Sequence, residues 1–356
     1  MIDLHVCLDE KITRGDISYV RQNFPVQNHP FLIFGHTWGF DYSGYENVEQ
    51  VNDDFAGLRT MAAAMKKADR IHLHGLFSLK MVVLLALRTD LAAKCNWFIW
   101  GDDLYTMIRK KSNLAGKLHI ATRKRAVRNF YSVATNVSGD WKLLEKTLNK
   151  KVRFFPLGFA AGALGNVAVS TGQKAPGEPV NILLGNSATP TNCHIDALEK
   201  LAHLKDSNIR IYTPLSYGSD AYADMITQKG KEIFGDKFIP MRDFMPAEEY
   251  FKLLGSIDAA VMAHDRQQAM GNIVRLLYAG KRVYLRRDIT TWECLQGQYG
   301  LELFSYEMIS HATAEELVSG VSDFAKQREK CEFMADDSKA LVLYKKMLIS
   351  EVPSDN

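Results

Sequence analysis

Short apolar runs alternate along this chain with longer stretches in which apolar positions recur at helical spacing. The runs at 1–8, 31–34, 70–75, 95–100 and 152–156 predict strands, and 55–67, 79–91 and 141–148 predict helices. A second series follows, with strands at 180–185, 209–212, 257–262 and 282–285. Its helices are expected at 193–204, with Asn192 as cap, from Met245 onward, and from Ile273 to a stop at Gly280. Closing helices are expected at 314–327 and 339–348, the first opened by the capping-box pair Thr313 and Glu316. Strands alternating with helices imply parallel sheets, whose chemistry collects beyond the carboxyl ends of the strands. The expected division is a domain over 1–156, a Gly-, Ala- and Pro-rich linker over 157–179, and a domain over 180–350 whose last helices pack back on the first.

The stretch 264–280 carries the clearest candidate chemistry. Polar residues Arg266, Gln267 and Gln268, then Gly271 and Asn272, stand between a buried strand and a helix. A helix N-terminus after a parallel strand favours a phosphate through its N–H groups and dipole, and Arg266 can add a fork. An ordinary loop with a solvated arginine is the bland alternative. The turn Gly185, Asn186, Ser187 ends the strand at 180–185, and Tyr217 follows Pro214 after the next strand.

In the first half, His74, Asp102 and Asp103 fall at strand ends. Asp103 suits a base facing the cleft, a helix-capping carboxylate or an acceptor ligand. His74 is the second base candidate. It shares a strand face with His72, which is also a metal-pair spacing, but no third ligand is evident and a hydrogen-bonded strand-end histidine accounts for it as well. Trp100 and Tyr105 suit stacking on a sugar, or core packing. Asp102 and Asp103 are adjacent, so no Asp-x-Asp metal motif is present, and neither metal nor cofactor is expected.

Composition narrows the setting. Five scattered cysteines without Cys-x-x-Cys argue for a reducing compartment. The longest apolar run, 81–87, is far short of the roughly 20 residues that span a bilayer. The net charge of +3 hides +8 over 1–178 and −5 over the rest. The excess lies in Arg109, Lys110, Lys111, Lys117, Arg123, Lys124, Arg125 and Arg128, interleaved with apolar residues. These suit an anionic membrane surface or a solvated helix face. A nucleic-acid partner is not expected, because the overall charge is small and the second half acidic.

Several motifs resemble one family, the bacterial 4-acetamido-4,6-dideoxygalactose (Fuc4NAc) transferases of enterobacterial common antigen synthesis, also called the 4-alpha-L-fucosyltransferase family. The likeness is carried by His74-Gly75, the run Trp100-Gly101-Asp102-Asp103-Leu104-Tyr105, and Leu184-Gly185-Asn186-Ser187 with Asn192 and His194. Pro214 with Tyr217, Arg266-Gln267-Gln268, Gly271, Ala279-Gly280 and Trp292 continue it. The resemblance implies a GT-B type α/β fold, two Rossmann-like doubly wound parallel-sheet domains facing a cleft. It also implies a cytoplasmic enzyme, peripheral on the inner membrane, that moves an amino-deoxy sugar from a TDP-sugar to an undecaprenyl-diphosphate-linked saccharide. Asp102, Ser216, Ala269, Asn272 and Leu157-Gly158 depart from the family pattern, which bears on the sugar taken. Sugar-nucleotide epimerases share the architecture, so an epimerase and an inactive binding subunit stay as alternatives.

Overall fold

Alternation along the first strand decides which side of its sheet is greasy. On β1 (Asp3–Leu8) Leu4 and Val6 point one way, and Asp3, His5 and Cys7 the other. The computed structural model describes residues 1–10, 12–109, 113–159, 164, 177–319 and 321–349. Two compact units emerge, Met1–Leu157 with Ser338–Asn356, and Gly158–Asp337.

The first unit holds β1, β2 (Phe31–Phe34), β3 (Val48–Val51), β4 (Arg70–His74), β5 (Cys95–Phe98), β6 (Ser132–Thr135) and β7 (Phe154–Pro156). They form one parallel sheet in the order β3-β2-β1-β4-β5-β6-β7. Leu4, Val6, Ile71, Leu73, Trp97 and Val133 join the core on one face. Full burial of such a side chain contributes roughly 1.5–3 kcal/mol. The opposite face packs Cys7, Phe31, Ile33 and Phe98 against Ile17 and Val20 of the helix Thr13–Asn23. Tyr344 and Met347 of the last helix, Asp337–Ile349, complete that layer.

The second unit holds β8 (Val180–Leu184), β9 (Ile209–Pro214), β10 (Phe238–Met241), β11 (Ala259–Met262), β12 (Arg282–Leu285) and β13 (Phe304–Ser305), parallel throughout in the order β10-β9-β8-β11-β12-β13. Ile182, Leu184, Ile211, Val261 and Tyr284 sit in its core.

Several boundaries differ from the sequence reading. The helix expected over 79–91 ends at Leu87. Arg88 leaves helical dihedrals (φ −106°, ψ 78°) and forks onto Asp90, and a short helix Thr89–Ala92 follows. The helix expected over 314–327 is two, Ala314–Leu317 and Phe324–Met334, the second restarted by Asp323, whose side chain accepts from Lys326 N. Asn192 is not the cap expected. The helix His194–Leu201 is entered through Cys193 in the left-handed region, and the Asn192 carboxamide turns to other partners. Most of the linker over 157–179 lies outside the described residues.

Candidate active site

Strand order locates the place in each sheet where loops part to leave a crevice. The order reverses between β1 and β4 in the first unit and between β8 and β11 in the second. Ligands of open parallel sheets bind beyond the carboxyl ends of the strands at such a reversal. Asn186 and Ser187 follow β8, and Arg266 to Asn272 follow β11, so the sequence-nominated residues of the second half converge there.

Asn192 is the hub of these loops. Its Oδ1 accepts from Asn186 N at 2.9 Å and lies 3.0 Å from His264 Nε2, while its Nδ2 donates to Ser187 Oγ at 3.1 Å. Gly185 makes this approach possible. It holds φ +67°, and a Cβ there would lie 2.5 Å from His194 Nε2 and 2.7 Å from Asn192 Oδ1. Gln268 closes the ring. Its Nε2 donates to Asn186 Oδ1 at 2.7 Å and Ser187 Oγ at 3.2 Å, and its Oε1 accepts from Thr191 Oγ1 at 2.7 Å. Asn186 Nδ2 donates to Tyr217 OH at 2.8 Å. Burial above all, helped in the first case by protonation of the neighbouring His194 in acid and by the Arg266 charge, holds His264 down to about 3 and His194 down to about 4. Both are therefore neutral imidazoles at neutral pH.

The helix Met270–Tyr278 opens at this ring. Ala269, in the left-handed region at φ +57°, stands at its cap position and supplies no capping side chain. Gly271 is its second residue, and Asn272 Nδ2 donates to Tyr250 OH at 2.8 Å. Arg266 is buried, with Nη1 donating to Gln267 O at 2.9 Å. A cation, a helix N-terminus and side-chain amides thus share one crevice rim, an arrangement suited to a phosphorylated ligand.

The first-half nominees fare differently. Asp103 does not face solvent. It is buried, and its carboxylate accepts from Trp97 Nε1 at 2.8 Å, Leu76 N at 3.1 Å, Trp100 N at 3.1 Å, Gly101 N at 3.0 Å and Leu104 N at 3.0 Å. Burial pushes its pKa up while these bonds oppose the rise. A carboxylate so engaged anchors the turn after β5 rather than meeting a substrate. Asp102, beside it, is exposed. Tyr105 is a core residue, with its OH donating to Asp140 Oδ1 at 3.0 Å, so sugar stacking does not fit it. Trp100 is half-buried, edge-on to Phe77 at 5.8 Å. His74 is buried between Asp16 and His5 and stacks on Phe98 at 4.7 Å. His72 bonds Asp3 Oδ1 at 2.9 Å. Among the described residues, no three His, Cys, Asp or Glu are grouped to hold a metal ion. Asp16 and His5 escaped the sequence reading, although the alternation Asp3-His5-Cys7 opposite Arg70-His72-His74 was there to see.

The basic segment is less uniform than its sequence suggested. Lys110 and Lys111 lie outside the described residues. Arg109 and Lys124 are half-buried, and Lys117, Arg125 and Arg128 are exposed. Arg123 is not a surface cation. It shares the inward face of the helix Leu114–Val127 with Ala126 and Val127, bonds the Leu76 carbonyl, and has its pKa lowered by burial. Arg125 and Arg128 donate to carbonyls at the ends of neighbouring helices, Ala86 O at 2.9 Å and Leu148 O at 2.7 Å. Among the described residues no helix is long and apolar enough to cross a membrane.

Known structures share this fold at low identity. The N-terminal domain of Candida albicans trehalose-6-phosphate phosphatase aligns over 98% of this chain and 97% of its own, with TM-score 0.67 and 12% identity. The UDP-forming trehalose-phosphate synthase of Burkholderia vietnamiensis gives 0.65 and 10%, covering 98% of this chain and 99% of its own. Anabaena HepE, solved in complex with UDP, gives 0.65 and 12% over the same shares. The fold is thus of the GT-B type. The sequence pattern of the family described as 4-alpha-L-fucosyltransferase, glycosyl transferase group 56, matches residues 47–335, so this chain belongs to that family and is a glycosyltransferase.

Proposed function

We propose that the protein moves a deoxy-amino sugar of the fucosyl type from a TDP-sugar to an undecaprenyl-diphosphate-linked saccharide in bacterial surface polysaccharide synthesis. The observation that carries the donor half is the ring at the β8/β11 reversal, where buried Arg266 and the N-terminus of Met270–Tyr278 adjoin Asn186, Ser187 and Gln268. In this reading Arg266 and the first-turn N–H groups of that helix take the diphosphate. They oppose the negative charge that develops as the sugar–diphosphate bond breaks. Tyr217 and Asn186 flank the nucleoside. The named relatives include UDP users, so the base is the first thing to measure.

The acceptor half draws on the first unit. Helix Leu114–Val127 presents exposed Leu114 and Leu118 beside Lys117, and packs against Leu79–Leu87. A cavity of about 750 Å3 opens along the latter helix, with Phe55, Leu79, Val83 and Leu87 among its walls. Apolar side chains beside cations suit a lipid-linked anionic acceptor held at the cytoplasmic face of an inner membrane. Calorimetric titration with TDP, UDP and GDP, with and without EDTA, tests the donor assignment. Metal-independent binding of TDP over the other two is expected. A preference for UDP or GDP moves the donor, and no binding of any of the three sinks the assignment.

A further inference from the structure

A string of imidazoles runs through the face of the first sheet that packs against the helix Thr13–Asn23, and ends on one carboxylate. His29 Nδ1 lies 3.2 Å from His5 Nε2, His5 Nδ1 lies 3.0 Å from His74 Nε2, and His74 Nδ1 lies 3.2 Å from Asp16 Oδ2. In the register of β1 against β4, His5 stands opposite His72 and Cys7 opposite His74, so His5 meets His74 diagonally on one face of the sheet. A carboxylate can only accept, so His74 donates to it from Nδ1 and, as a neutral ring, accepts at Nε2. His5 then donates from Nδ1 and accepts from His29 in turn. All three rings are held in one tautomer by the single anionic end.

Burial above all, with its histidine neighbours, keeps His5 well below the usual imidazole range, so His5 stays neutral. Asp16 is different. It stands in the first turn of Thr13–Asn23, directly after β1, with a third of its side-chain surface exposed. His74 ends β4. The pair therefore occupies the β1/β4 reversal, the ligand-binding position of this sheet. Among the described residues, Cys7 on β1 and Tyr344 on the last helix feel the Asp16 charge, both pushed up chiefly by burial and further by that charge. Neither competes for a proton at neutral pH.

We propose that Asp16 is the acceptor-side general base of this transferase and that His74 is its positioning residue, locked by His5 and His29. The proposal rests on the transferase reading above. The acceptor O–H bond breaks and its proton passes to the Asp16 carboxylate. The acceptor oxygen bonds the anomeric carbon of the donor sugar. The bond from that carbon to the diphosphate oxygen breaks, and its electron pair leaves with the nucleoside diphosphate.

The test is the pH–rate profile of sugar transfer by the full chain and by Asp16→Asn, Asp16→Glu and His74→Gln, with nucleotide affinity measured alongside. General-base loss typically costs 10²–10⁴-fold. Asp16→Asn should therefore lose on the order of 10²-fold or more in kcat, with nucleotide affinity and melting temperature near wild type, and should lose the acid limb of its profile. His74→Gln should displace that limb, which a merely structural role would not do. Asp16→Asn within about threefold of wild-type kcat overturns the proposal and leaves the leaving diphosphate or another group to take the proton. If Asp16→Asn does not fold, Asp16→Glu decides. A lower rate with a displaced acid limb supports the base, and an unmoved limb overturns it. A wild-type chain that binds nucleotide but transfers nothing points instead to a failure of the acceptor assignment.

Discussion

Gln268 Nε2 donates to Asn186 Oδ1 across 2.7 Å, joining the loop after β11 to the turn after β8. Both ends of the Gln268 amide are used, because Thr191 donates to its Oε1. The residue therefore fixes the separation of the two loops. Gln268→Leu removes three hydrogen bonds at a half-buried site. It should weaken nucleotide binding by about 1–2 kcal/mol, roughly 5–30-fold, and the buried polar groups it leaves unmet should cost unfolding free energy of about 1–3 kcal/mol. Titration calorimetry beside urea unfolding checks this, and unchanged affinity would remove the bridge from the donor site.

Arg266→Ala should be the severest of the donor-side changes. A buried guanidinium that meets a diphosphate makes charge-assisted bonds of about 1.5–3 kcal/mol each, so affinity should drop at least tenfold. Its removal also lifts one positive neighbour from His264, a minor influence beside burial. The melting temperature is thus a good control. Wild-type nucleotide affinity in Arg266→Ala would count against the phosphate assignment as a whole.

Asp103→Asn separates a structural from a chemical carboxylate. Five groups donate to Asp103 in the buried turn after β5. An asparagine keeps one acceptor oxygen and turns an NH₂ toward groups that also donate. The expected loss is on the order of 2–4 kcal/mol of folding stability, read by urea unfolding. Unaltered stability with turnover lowered 10²-fold would restore Asp103 as the base in place of Asp16.

The fold was legible at many elements that bury a regular apolar pattern, as at Phe31–Phe34, Phe55–Lys67 and Arg282–Leu285. It was missed where polar or charged residues interrupt that pattern, as at Ser132–Thr135 and Asp220–Phe234. The helix Thr13–Asn23 buries only Thr13, Ile17 and Val20 among charged neighbours, and β13 is two residues long. The donor-side loops were legible because Gly185, Arg266 and Gly271 carry backbone or charge signals that act locally. Asp16 was not, because its meaning comes from His74, 58 positions away, and from a register no single stretch displays. Asp103 shows the converse. An acid at a strand end looks reactive in sequence, whereas here five donors turn inward upon it.

Five histidines set an acid limit on stability. His264 and His194 are held to about 3 and about 4, chiefly by burial, and His5, His29 and His72 are also lowered, again chiefly by burial. In the unfolded chain each protonates near 6.5. Below that pH the unfolded state binds more protons than the folded one, so unfolding free energy falls as pH falls. Each group's loss continues, at most about 1.4 kcal/mol per pH unit, until its folded pKa is reached. Melting temperature should therefore decline steadily from pH 7 to 5, before most carboxylates titrate. A flat profile over that interval, by scanning calorimetry, would contradict the neutral-histidine assignment.

Leu114 and Leu118 are one helical turn apart, 82% and 66% exposed, on the helix that also carries exposed Lys117. Such leucines gain nothing from water, and a bilayer surface would cover both while the cation meets anionic head groups. Leu114→Ser with Leu118→Ser should release the protein from phosphatidylglycerol vesicles in sedimentation while leaving its melting temperature unchanged. Lys117→Glu should weaken the same binding by more than the roughly 1 kcal/mol, or about fivefold, attributed to one lysine, since it also adds a repelled charge. Neutral phosphatidylcholine vesicles should bind less in every case, and added salt should narrow the difference as the head-group charge is screened. Equal binding of wild type and the double serine variant would show that these leucines do not touch lipid, and the solvated-face reading of 109–128 would then stand.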